Sequence, residues 1–374
     1  MKKENELLTK DIRQLIIQIA IPSSIGMFFN TMYNVVDTFY VGQISTAAIS
    51  ALSYSFMVFF LLLSVSFGLS SAITAYVGGA LGKHKKAMAQ IYVSNGIGLL
   101  FFISLFLSVV SFLLLETIFS LMGASGEVLQ IALDYTYIIS KLYQTGLFDI
   151  KLFFKKLPNL KAYKHLSIQA IPSSLNMFLM SFGSIITIYF VSFYGVKSVA
   201  AFGIGYRVEQ IILLPMLGLN TAVMTIVSNN FGAKNFERIH EVINKALKYG
   251  YIMSAIGVVL IVLFGKYMVM IFDNDTEVIE TAYIYIVVES LIFFAFITLF
   301  ISVSTLQGIK KPFILPFVAI YRQILMPLIL FTLVVKVYEL PIEYLWVSMF
   351  LIIYSGAIYL KIYTNKKLAL LNGK

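Results

Sequence analysis

Long apolar runs constrain this chain more than any other feature. Ten of them follow one another, at roughly residues 14–40, 47–78, 88–115, 127–149, 166–193, 199–228, 242–271, 279–306, 313–335 and 342–362, separated by short charged loops. At about 1.5 Å of rise per residue, a helical run of some 20 apolar residues crosses a bilayer. Barrel strands would show alternating segments of about ten residues instead. Only 12% of the 374 residues are charged, against about 25% in soluble proteins, and 59% are hydrophobic. The sequence therefore predicts an all-α integral membrane protein with about ten transmembrane helices. With no cysteine there is neither a disulfide nor a thiolate metal site. No metal site is expected at His84, His165 and His240, which read as solvated residues of basic loops.

The net charge of +10 has a topological cause. If the N-terminus is cytoplasmic, 22 of the 28 basic residues fall in loops on that side, including Lys83, Lys85, Lys86 and the run from Lys151 to Lys164. The opposite side receives Lys197, Lys266 and Lys336. The positive-inside rule then places both termini in the cytoplasm of a multi-pass cell-membrane protein. No nucleic-acid partner is needed to explain the charge. No small-residue cleavage site follows the first apolar stretch, so that stretch is expected to remain as the first span.

The chain also repeats itself. Ala20–Ser24 (A-I-P-S-S) recurs as Ala170–Ser174, an offset of 150 residues, and Met27 matches Met177. Gly82 lies opposite Gly232, and M-G-A-S-G-E-V from Met122 lies opposite F-D-N-D-T-E-V from Phe272. Tyr135–Ser140 lies opposite Tyr285–Ser290, and the similarity fades beyond it. The first copy, residues 1–150, holds about four spans; the second, 151–374, holds six. Four and six are both even, so both copies start on the same side and are parallel repeats.

Within the first span, Asn30, Asn34 and Asp37 are spaced i, i+4 and i+7 and share one helix face. Lipid disfavours such a stripe, whereas a water-filled cavity suits it. The second copy has Met180, Ser184 and Thr187 there, so the carboxylate has no counterpart. Three further acids fall within spans, Asp134, Glu209 and Glu289. Arg207 and Glu209, at i and i+2, are expected to point apart. Glu289 sits mid-span, with Arg322 the arginine available to offset it. Asp134 and Lys141 read as snorkelling or junction residues.

The first span, I-P-S-S-I-G-M-F-F-N-T-M-Y-N-V-V-D-T-F-Y-V-G, together with G-I-G-Y-R-V-E-Q-I-I-L-L-P-M-L-G-L-N-T-A-V at 203–223, resembles the multidrug and toxic compound extrusion (MATE) family. The F-G-A-K-N-F-E-R loop at 231–238 and the M-G-A-S-G-E-V loop agree with it. The resemblance implies two lobes of six helices, of which this chain has a complete second and an incomplete first (4 + 6), lacking the fifth and sixth helices. It implies export of amphipathic or cationic small molecules in exchange for Na⁺ or H⁺, with no other cofactor, by a monomer in the lipid bilayer. It places cation or proton coupling at Asp37, with Asn34 and Asn30 beside it. Glu209, Arg207 and Glu289 are the candidates for the substrate cavity. No nucleotide-binding loop or hydrolase motif is present, so an enzyme is not expected. The competing readings are a lipid-linked oligosaccharide flippase of the same superfamily and a non-transporting product of internal deletion. The two intramembrane arginines, Arg207 and Arg322, are few for binding a pyrophosphate.

Overall fold

The computed structural model describes residues 5–42, 46–121, 126–134 and 159–372. A short helix, α1 (Glu6–Thr9), leads into α2 (Ile12–Gly42), α3 (Thr46–Gly82) and α4 (Lys86–Leu121). Residues 126–134 are helical (α5). The second copy supplies α6 (Leu160–Val191), α7 (Val196–Gly232), α8 (Phe236–Met270) and α9 (Thr276–Gly308). A broken helix, α10 (Pro312–Val337), and α11 (Glu343–Asn372) complete it. Among the described residues nine helices are long and apolar enough to cross a membrane. They coincide with nine of the ten expected runs; most of the run at 127–149, with Lys141, lies outside the described residues.

By contacts the chain forms two compact units. One comprises residues 1–28, 74–86 and 179–374; the other comprises 29–73 and 87–178. In the first unit α8 shows how the packing works. Gly250, Ser254, Gly257, Ile261 and Gly265 fall on one face and are buried, while Ile256, Val259, Leu263 and Tyr267 are exposed. Small residues let helices approach closely where lipid supplies no hydrophobic drive, and the large apolar side chains are left for lipid. Hydroxyls are satisfied within their own helices: Ser254 donates to the Gly250 carbonyl at 2.9 Å and Ser302 to Thr298 at 2.7 Å. Such back-bonding removes the cost of a polar group in hydrocarbon.

The 150-residue repeat is visible in the contacts. In the first unit Gly218 of α7 lies against Ser24 and the Ala20 carbonyl of α2. In the second unit Gly68 of α3 lies against Ser174 and the Ala170 carbonyl of α6. Each partner in one pair is the other's equivalent 150 residues away. The repeated A-I-P-S-S is thus a surface for a glycine of the other copy. Within it, Ser23 donates to the Ile19 carbonyl at 2.8 Å and Ser173 to Gln169 at 3.1 Å.

Three turns share one geometry. His84, Lys234 and Lys310 have φ of 57°, 62° and 62°. In each turn the next residue's N–H reaches back five positions, as from Lys85 to Ala80 at 2.9 Å and from Lys311 to Leu306 at 2.7 Å. This is the glycine-type helix stop, here occupied by larger residues. The histidines are not all loop residues. His165 lies within α6, with Nδ1 3.0 Å from the Tyr92 hydroxyl. His240 belongs to the first turns of α8. Both helices begin earlier than the apolar runs because their first turns are polar.

Candidate functional site

Two carboxylates meet inside the second copy. Glu209 comes from α7, and Tyr285 and Glu289, one turn apart, come from α9. The Tyr285 hydroxyl lies 3.1 Å from Glu209 Oε2 and 3.5 Å from Glu289 Oε1. One hydroxyl proton serves one acceptor, and Glu209 is the nearer. Glu209 and Glu289 are only 6% and 3% exposed, and Glu289 Oε2 has no hydrogen-bond partner among the described residues. No ion pair among the described residues includes either glutamate.

The walls are aromatic. The Tyr285 ring is 4.7 Å from Trp346 and 5.2 Å from Phe202, and Phe202 stacks on Trp346 at 6.0 Å. Gly205 admits the Tyr285 ring against α7: a Cβ there would lie 2.3 Å from the ring. Carboxylates in such surroundings are costly as anions unless something neutralises them. With no cationic side chain among the described residues paired to them, a proton or a small cation from outside is what the pair can accept.

Arg207 is exposed while Glu209 is buried, as the i, i+2 spacing requires. Arg322, which sequence alone could not place beside Glu289, forms no ion pair with it among the described residues. It sits on a π-helical segment of α10, Tyr321–Leu325, ahead of Pro327. Its stem lies against Gly356, where a Cβ would be 2.3 Å from Arg322 Cδ. Among the described residues packing, and no carboxylate, holds it, and its Nε has no partner. Asp134 is exposed. Asn30, Asn34 and Asp37 lie on helical backbone in α2, and their side chains fall outside the described residues. Of their counterparts, Thr187 is buried and donates to the Gly183 carbonyl at 3.0 Å. Sequence reasoning missed Tyr285, although its place four residues before Glu289 was a readable signal.

The MatE family model matches residues 22–147 and 172–333, one stretch in each copy and most of the chain. The chain belongs to the MatE family. Its fold agrees: a MOP-superfamily transporter from Pyrococcus furiosus superposes with a TM-score of 0.90 at 18% identity, covering 99% of each chain. Among curated proteins, the FAD transporter of Shewanella oneidensis is 21% identical, over 77% of this chain and 80% of its own length. The probable multidrug resistance protein NorM of Thermotoga maritima is 19% identical, over 91% and 89%. A MatE protein is a membrane transporter and not an enzyme, and its relatives handle small organic compounds.

The alignments also carry a length difference. The Shewanella alignment spans 363 positions but uses 77% of 374 residues, about 288, which leaves about 75 positions that this chain lacks. The Thermotoga alignment spans 421 positions on 91% of the chain, about 340, a difference of about 81.

Proposed function

We propose that this MatE protein is a secondary transporter that exports amphipathic or cationic organic compounds in exchange for Na⁺ or H⁺. The observation that carries this reading is the buried Glu209–Tyr285–Glu289 cluster, two membrane-embedded carboxylates with no counter-ion among the described residues. A group that must be neutralised from outside is suited to couple ion entry to a change of helix packing. Glu209 and Glu289, with Arg207, stand at the candidate substrate cavity. Asp37, with Asn34 and Asn30, forms a second coupling site in the first copy; the burial of its equivalent, Thr187, lends support. Residues 1–150 form the shortened N-terminal lobe and 151–374 the C-terminal lobe. The protein works as a monomer in the cell membrane with both termini cytoplasmic.

The length difference favours one competing reading, a non-transporting product of internal deletion. About 75 positions is room for two or three spans with loops, and the resemblance places the gap at the fifth and sixth helices. Reconstitution separates the two. Proteoliposomes loaded with a fluorescent lipophilic cation are given an imposed H⁺ or Na⁺ gradient. Gradient-driven dye movement is expected, lost in Asp37→Asn and in the Glu209→Gln/Glu289→Gln double variant, with unchanged reconstitution yield. No movement by the unaltered protein under either gradient refutes transport. Full movement by Asp37→Asn refutes the coupling role of Asp37, and full movement by the double variant refutes that of Glu209 and Glu289.

A further inference from the structure

A second feature lies in the same unit, away from the carboxylates. A cavity of about 110 Å³ opens between α8, α9 and α11. It adjoins a groove of about 400 Å³, and the two share Thr298 and Lys361 in their walls. The cavity takes residues from the start of α8, the end of α9 and the later part of α11, so it sits at the end of the bundle that bears the basic loops.

The two parts differ in chemistry. His240, Asn244, Lys361 and Asn365 face the cavity and offer hydrogen-bond donors. None of the four has a hydrogen bond, ion pair or ring contact among the described residues, and no carboxylate lines the cavity or the groove. Thr305, Ser302 and Thr364 spend their protons on carbonyls of their own helices. The groove is aromatic and aliphatic: Tyr251 and Phe294 form one wall, Tyr354 and Ile358 another. Tyr251 gives its polar end to Thr298 at 2.9 Å and Tyr354 to the Leu291 carbonyl at 2.8 Å, leaving apolar ring faces. Ile358 and Ile362, at 56% and 51% exposure, form its open side.

The positions keep register on all three helices. His240 to Tyr251, Phe294 to Thr305, and Tyr354 to Asn365 each span eleven residues, about 16 Å of helix. In each case the polar end faces the basic loops and the apolar end faces the membrane interior. The arrangement is a graded slot, with a cationic head and an apolar tail open sideways to lipid.

We propose that this slot binds an anionic glycerophospholipid. Its phosphate sits among His240, Asn244, Lys361 and Asn365, and one acyl chain lies along Tyr251, Phe294 and Ile358. Charge complementarity selects the head: unpaired donors without an acid favour a net-negative group, and the ammonium of a zwitterionic head finds no carboxylate there. The sideways opening selects a lipid over a soluble anion, because a free phosphate would leave the 400 Å³ groove unused.

The test is native mass spectrometry of the full chain released from nanodiscs holding equal phosphatidylglycerol and phosphatidylcholine. Retention of phosphatidylglycerol is expected. It should fall at least about tenfold in the His240→Gln/Lys361→Gln double variant, which loses two charge-assisted contacts. It should fall also in Ile358→Trp, which narrows the groove. Lys336→Gln, at the other end of α10, should change nothing. All variants are compared as monodisperse protein, so that misfolding is seen directly. Equal retention of both lipids, or retention unaffected by the double variant, overturns the proposal. Displacement of phosphatidylglycerol by inorganic phosphate alone assigns an anion pocket and overturns the lipid.

Discussion

One added methyl group at Gly218 tests whether the repeated A-I-P-S-S is a packing surface. A Cβ there would lie 2.0 Å from Ser24 Oγ and 2.4 Å from the Ala20 carbonyl oxygen. A serine can rotate away, but a carbonyl is fixed to α2. Reaching ordinary contact at about 3.4 Å requires α2 and α7 to separate by about 1 Å. Overpacking of this kind costs about 1–3 kcal/mol, against which alanine returns up to about 1 kcal/mol in helix propensity. A net loss of about 1–2 kcal/mol should lower the melting temperature by about 1–3 °C in a protein of 374 residues. Gly203→Ala is the internal control, since a Cβ there meets nothing within 4 Å. It is expected to be neutral or slightly stabilising. Gly68→Ala should match Gly218→Ala, because its Cβ would lie 2.6 Å from the Ala170 carbonyl. Melting is read in detergent by loss of the monodisperse peak. Equal melting temperatures for Gly218→Ala and Gly203→Ala would refute the reasoning.

Two further outcomes are expected. Lys310, in the turn between α9 and α10, lies over the Tyr76 ring at 4.0 Å; burial, with Lys83 nearby, lowers its pKa from 10.5 to about 8. The unfolded chain therefore holds the extra proton between about pH 8 and 10.5, so stability should rise with pH in that window, by at most about 3 kcal/mol before solvent screening of this partly exposed group, and be flat below it. Lys310→Met should abolish the rise, and a parallel pH profile in wild type and variant would contradict it. For topology, single cysteines placed by Lys85→Cys and Asp273→Cys should react oppositely with an impermeant thiol reagent in intact cells, the second only. Labelling at position 85 would reverse the orientation.

The sequence by itself determined the solvent. Ten apolar runs with 12% charge admit a helical membrane protein and little else, because backbone groups in hydrocarbon must pair within each span. It also determined the repeat and the family resemblance, since A-I-P-S-S and its echo are local identities. The separation of Arg207 from Glu209 was legible too, since helical spacing alone sets it. Tertiary structure decided what is not local. Glu209 and Glu289 are eighty residues apart in the chain, and only the packing of α7 on α9 brings them to one tyrosine hydroxyl. Arg322 and Glu289 have opposite charges and lie in neighbouring helices of the chain, yet the π-helical segment at Tyr321–Leu325 and the space left by Gly356 take the arginine elsewhere. Ser24 and Ser174 of the echo read as polar residues in a span, and only the fold shows that each meets a glycine of the other copy. The lipid slot has no motif at all. Its polar and apolar ends are three separate stripes, and their common register exists only once α8, α9 and α11 stand side by side. Period and composition fix which face of a helix is apolar; which helix it meets depends on shape, and shape is a property of the packed bundle.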